Sequence, residues 1–246
     1  MRTKLLNPYF KKISDEHNIS GKPASYGSIA IKVLFFLLLT GAGVCAYVFN
    51  VVPEEYINYA LIGAGVITMI TSLINFFNPK GTPIFGSLFC IAEGFLVGWL
   101  CQVYSVFYYG VVPIAIGVTF VVILVMLFLY ATRIIKVGQR FRAVVSTLFL
   151  TSFILYGLVF VSSFFTNAIT SLVWGNSGFG IAISAGALLL AALNLVVDYD
   201  NIAQCVKNKY SNRYEWSLAF GLVMTIILIF IRVLRLLSKI MSKGND

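Results

Sequence analysis

Apolar residues come in long unbroken runs rather than in short alternations. Seven such runs lie at about 33–52, 57–77, 83–101, 108–130, 144–164, 178–197 and 217–237. Each is close to the roughly 20 residues that an α-helix needs to cross about 30 Å of hydrocarbon at 1.5 Å per residue. The pattern predicts an all-α polytopic membrane helix bundle with seven transmembrane segments. Residues 1–27 are expected as a polar tail, 28–240 as the membrane domain and 241–246 as a short C-terminal tail. Within the first tail, Leu5, Leu6, Tyr9, Phe10 and Ile13 suit either a short amphipathic turn on the bilayer or a flexible arm.

Composition agrees. The chain is 59% hydrophobic and 11% charged, less than half the roughly 25% charged residues of a soluble domain. Its mean hydropathy is +0.92. There is too little polar surface to wet a globule, so a soluble enzyme, a disordered chain and a secreted disulfide scaffold are excluded. The amino-terminal MRTKLLNPYFKKISDEHN has no signal-peptide core.

The net charge of +9 sharpens the topology. Its bases flank the apolar runs, which points to lipid contact and orientation, not to nucleic acid. They gather in the first tail and in alternate connectors: Lys80, then Arg133, Lys136, Arg140 and Arg142, then Lys207, Lys209 and Arg213. The connectors at 102–107 and 165–177 carry no charge, and the one at 53–56 holds only Glu54 and Glu55. The positive-inside rule therefore predicts a cytoplasmic N-terminus. Run seven strains this rule, because Lys239 and Lys243 follow it and Arg232 and Arg235 lie in its last turns. It either spans because the other six force it, or dips and returns.

Few residues offer chemistry. His17 is the single histidine, and Cys45, Cys90, Cys101 and Cys205 share no metal or disulfide spacing, so they read as small core residues. Gly41, Gly43, Gly63, Gly65, Gly94 and Gly98 fall inside spans and read as helix-packing positions. No nucleophile constellation, phosphate loop or flanking carboxylate pair is visible, so no enzyme activity and no cofactor are expected. Acids that the bilayer should exclude are the informative residues. Glu93 lies well inside a span, either locking two helices together or lining a conduction path. At the end of run six, Asn194, Asp198, Asn201 and Cys205 follow spacings of four, three and four and share a helix face, whereas Asp200 points about 200° away from Asp198. That stripe suits a cation entrance or simply a helix end reaching water.

The segments VDYDNIAQC and NRYEWSLAFGLVMTIILIFIRVLRLLSKI resemble the C-terminal signature of the Bax inhibitor-1/YccA (TMBIM) membrane proteins. Asp198 and Ile202 match the Asp-x-x-x-Ile motif that ends helix six in that family, and Leu234-Arg235-Leu236-Leu237 matches the run that closes helix seven. NPYF, FFNPKGTP and AEGFLVG resemble the YccA-like bacterial branch. The resemblance implies a seven-helix bundle with the last helix surrounded by the other six, in a bacterial plasma membrane. It also implies a pH-sensitive calcium leak, with calcium as the permeant ion, gated by an aspartate pair between helices six and seven. Asp198 falls on the first of these aspartates and is the one candidate calcium ligand. Thr225 stands where the second is expected, leaving Asp200 or Glu93 as possible substitutes. The family's basic latch falls on Lys80, with Arg232 a second candidate. The YccA branch implies an alternative role, binding and modulating a membrane-anchored AAA protease through the N-terminal tail.

Overall fold

The computed structural model describes residues 23–162 and 178–244, which form seven α-helices. They are α1 (Tyr26–Val48), α2 (Ile57–Phe77), α3 (Thr82–Phe107), α4 (Val111–Ala131), α5 (Gln139–Ser162), α6 (Gly178–Lys207) and α7 (Glu215–Gly244). Six stretches, all but α5, are long and apolar enough among the described residues to cross a membrane. The helices run past the apolar segments that announced them. The α1 helix starts at Tyr26, inside the expected tail, α3 continues to Phe107, α6 to Lys207 and α7 to Gly244. Apolarity marks only the hydrocarbon crossing, whereas the i→i−4 backbone ladder continues wherever no breaker stops it. The expected tails and connectors are therefore shorter, and Asp198 and Asp200 stand within α6, not in a loop.

The α7 helix is the axis of the bundle. It is one continuous helix of 30 residues, about 45 Å long, and is long and apolar enough to span. Half of its membrane-crossing stretch is buried, against 22% for α1, α2 and α4. It packs directly on α1, α3, α4 and α6, while α2 lies outside on α3 and α5 on α6. Ile29, Phe36, Phe89, Val97, Leu195, Phe220, Val223, Ile229 and Leu234 belong to one buried cluster around it. Near one end, Phe220 meets Phe36 and Phe89 edge-on, and Phe36 meets Trp216 in the same way, at centroid distances of 5.1–5.9 Å. The outward faces carry Ile31, Leu38, Ile62, Met69, Phe120 and Phe128, all exposed, a surface suited to lipid and not to water.

Glycine decides the closest helix crossing. A Cβ on Gly94 of α3 would stand 2.1 Å from the Thr40 carbonyl oxygen of α1, and one on Gly43 would stand 2.3 Å from the Ile91 carbonyl oxygen. Gly98 meets the Tyr47 Cβ in the same way. Only glycine permits that approach. Gly41, Gly63 and Gly65 face open space, so the packing expected of them does not occur. The cysteines also divide: Cys90 and Cys205 are buried, Cys101 is half-buried and Cys45 is exposed on the outer face, where a small apolar side chain meets lipid as readily as core.

The base-bearing connectors gather at one end of the bundle. Pro23 bridges to Ser211, and the Ala24 amide donates to the Tyr210 carbonyl at 2.8 Å. The Ser217 hydroxyl lies 3.1 Å from both the Thr82 hydroxyl and the Pro79 carbonyl. A buried charge clamp ties the start of α1 to the start of α7. The Glu215 carboxylate, 1% exposed, accepts from the Ser25 amide at 2.9 Å, from the Ser28 hydroxyl and from the Lys32 ammonium. Lys32 also lies 5.2 Å from the centre of the Trp216 ring. At the opposite end, Lys239 is buried and donates to the Gly180 carbonyl at 3.0 Å. The base that strained the charge rule is therefore spent on joining α7 to the first turn of α6.

Two outcomes test this packing. Gly94→Val should lower stability by about 1–3 kcal/mol in chemical unfolding of the micelle-bound protein, while Gly63→Ala leaves it unchanged. Glu215→Gln leaves Lys32 without its counter-charge and should cost about 3 kcal/mol. Replacing both partners by apolar residues, Lys32→Met with Glu215→Leu, should recover most of that loss.

Candidate functional site

The middle of the α6–α7 seam holds a polar group on three adjoining side chains. The Thr225 hydroxyl of α7 lies 2.6 Å from Asp198 Oδ2 and donates to it, across from α6. Asn194, one turn earlier on α6, donates its amide to the same hydroxyl oxygen at 3.3 Å. The Gly221 carbonyl lies 3.2 Å from that hydroxyl, so its single proton has a nearer acceptor in the carboxylate. Thr225 is buried and Asp198 partly buried. The spacing of Asn194 and Asp198 on one face of α6 thus brings both to α7, as the sequence pattern requires. Further along that face, Asn201 keeps a buried Oδ1 that has no hydrogen-bond partner among the described residues. Cys205 turns into a separate small cluster with Ala24 and Tyr210.

Asp200 goes elsewhere. Its carboxylate accepts from Arg142 of α5, from Gln204 Nε2 at 2.8 Å and from the Tyr130 hydroxyl of α4 at 3.4 Å. This agrees with its opposite angle on the helix. It also removes Asp200 as the stand-in for a second acid beside Asp198, because its charge is already used to hold α4, α5 and α6 together. Glu93 is half-buried on α3, on the face that carries Phe89 and Val97 into the central cluster. Thr82 touches Ser217, and Glu93 lies eleven residues past the first while Thr225 lies eight past the second. At 1.5 Å per residue, Glu93 sits within about one helical turn of the level of Thr225. No hydrogen bond joins Glu93 to another helix among the described residues, which leaves the inter-helix lock without a partner.

The two candidate latches are far from the Asp198 carboxylate along the chain axis. Lys80 is exposed in the short turn between α2 and α3. Arg232 lies seven residues beyond Thr225 on α7, about 10 Å further from the base-rich end. Among the described residues no cluster of three or more His, Cys, Asp or Glu side chains surrounds Asp198 or any other position. A calcium ion takes six to eight oxygen ligands when it is held tightly, so Asp198, Thr225 and Asn194 can offer a passing cation a few oxygens but not a cage. His17 and the expected amphipathic stretch of the first tail lie outside the described residues.

Sequence reasoning missed the Lys32–Glu215 clamp. Its signal was a lysine at the very edge of an apolar run, one turn after Ser28, and an acid at the N-terminus of α7, where a carboxylate is favoured by the helix dipole. Nothing in one dimension pairs residues 183 positions apart.

No match to this chain is found among the curated proteins. Residues 7–242 match the family model described as Bax inhibitor 1 like. That span covers nearly all of the bundle, including the Asp198–Thr225 seam and the Lys32–Glu215 clamp. The chain therefore belongs to the Bax inhibitor 1 like family of membrane proteins.

Proposed function

We propose that the protein is a pH-sensitive calcium leak pathway, with Asp198 as the group that meets both the ion and the proton. The observation that carries this reading is the 2.6 Å hydrogen bond from Thr225 to Asp198, a carboxylate facing the central helix at mid-depth of a bundle otherwise sealed by apolar side chains. Asn201 Oδ1 and Asn194 extend the same face in both directions, giving a cation successive oxygen ligands along α6. Glu93 supplies a second acid at a similar level from α3. An intramembrane acid of this kind is costly, about 2.5–3.5 kcal/mol on insertion scales, and marks an ion path by default. The proposed setting is a bacterial plasma membrane with the base-rich end cytoplasmic, supported by the charge of the connectors gathered there.

With threonine in place of a second aspartate, one carboxylate titrates instead of a coupled pair. A proton and a cation compete for the same oxygens, so ionised Asp198 admits calcium and protonated Asp198 does not. Calcium uptake into proteoliposomes should therefore fall as the pH is lowered from 8 to 5, in a single step. Asp198→Asn should abolish at least nine-tenths of the flux or leave it independent of pH. Thr225→Asp should split the step in two, because two neighbouring carboxylates lose their protons at separate apparent values. Wild-type pH dependence retained in Asp198→Asn would overturn the assignment.

A second reading is a regulatory protein that binds a membrane-anchored AAA protease. It is favoured by the place where the tail leaves the bundle: Pro23 and Ala24 are pinned to Ser211 and Tyr210, beside the α6–α7 connector. Deleting residues 1–22 should remove protease binding in a co-purification assay and leave calcium flux intact. Undiminished binding by the tail-less protein would dismiss the tail as the contact.

A further inference from the structure

The central helix α7 carries a glycine in its interior, Gly221, one turn before Thr225 and on the same face. Glycine inside a helix is less favourable than alanine, and close packing is the usual reason for one in a membrane helix. Gly43 and Gly94 have that reason, but a Cβ on Gly221 would meet nothing within 4 Å among the described residues. Gly221 therefore leaves a notch where the other two close a contact. On α6, Asn201 Oδ1 is buried without a hydrogen-bond partner among the described residues, a costly state for an acceptor. The two features adjoin. The α6 and α7 helices are antiparallel, joined by a short connector, and Asp198 and Thr225 mark where they touch. Asn201 lies three residues further along α6 and Gly221 four residues back along α7, so both drop about 5 Å toward the base-rich end. At about 100° per residue, Asn201 stands about 60° round from Asp198 and Gly221 about 40° round from Thr225, in the same rotational sense. In an antiparallel pair that puts them on one side of the seam. Gly221, Asn201 and Asp198 are all half-buried and keep some surface open. The cluster of Ala24, Cys205 and Tyr210 floors the space toward the base-rich end.

We propose that this notch is a second station for the divalent cation, where Asn201 Oδ1 and water hold the ion one turn from Asp198. The station rests on the reading of Asp198 as the ion's ligand and adds the step beside it. An amide oxygen is a hard ligand suited to calcium, and its neutrality lets the ion move on to the carboxylate. A cation keeps part of its water shell only where no side chain takes the volume, which glycine provides and a larger residue removes. An anion would be repelled by Asp198, and a lipid chain would leave Asn201 Oδ1 without a partner.

Thiol labelling in lipid nanodiscs tests the notch without relying on transport. Gly221→Cys should react with a cationic methanethiosulfonate at least tenfold faster than with an anionic one. Each rate is taken relative to that reagent's rate with a free thiol, with the wild-type cysteines as background. Asp198→Asn in the same chain should remove the preference. Reaction no faster than at Leu38→Cys, on the exposed outer face, or no preference for the cation, would overturn the station. Calcium uptake into proteoliposomes at pH 8 tests its use. Gly221→Leu and Asn201→Leu should each lower uptake at least fivefold. Asn201→Leu should melt no lower than wild type, because it removes a buried oxygen that lacks a partner. Undiminished uptake in both variants, with uptake lost in Asp198→Asn, would overturn the station and leave the calcium reading standing. No uptake by the wild-type chain would overturn the calcium reading, and the labelling would still decide whether a cation enters the notch.

Discussion

Everything in this molecule depends on the lack of water in the hydrocarbon layer. A polar group there must be satisfied by the protein or face a cavity, and α7 is where the chain concentrates its polar and basic side chains. The other helices shield it. Glu215 at one end takes one donor from Ser25, just before α1, and two from α1, Lys239 at the other donates to α6, and Thr225 between them meets Asp198. Each of these contacts also fastens α7 to a neighbour.

The same constraint separates structural charges from those suited to function. Asp200 and Glu215 are each met by a base and by further donors, and such fully paired groups fasten helices. Asp198 is met by a threonine and, through it, by an asparagine, neither of which neutralises its charge. Among the described residues, the seam is where a carboxylate without a counter-charge faces the central helix.

The close crossing of α1 and α3 shows how a small-residue pattern has to be weighed. Of Gly41, Gly43, Gly63, Gly65, Gly94 and Gly98, which the sequence offers as packing positions, only Gly43, Gly94 and Gly98 are at the crossing. The rest face open space or lipid. Spacing tells which residues share a helix face, and the face that meets a neighbour depends on how the helices are rotated in the bundle.

By itself the sequence determined the class and the order of the parts: seven apolar runs, bases in alternate connectors, and Asn194 and Asp198 on one face of α6 with Asp200 on another. These are local properties, set by helix period and by the cost of charge in lipid, so they are legible in one dimension. Tertiary structure alone decided which helix is central, that Asp198 meets Thr225 while Asp200 meets Arg142, and that Lys32 reaches Glu215. Those are pairings between residues far apart in the chain. Their energies depend on distance and on exclusion of solvent, and neither exists until the helices have packed.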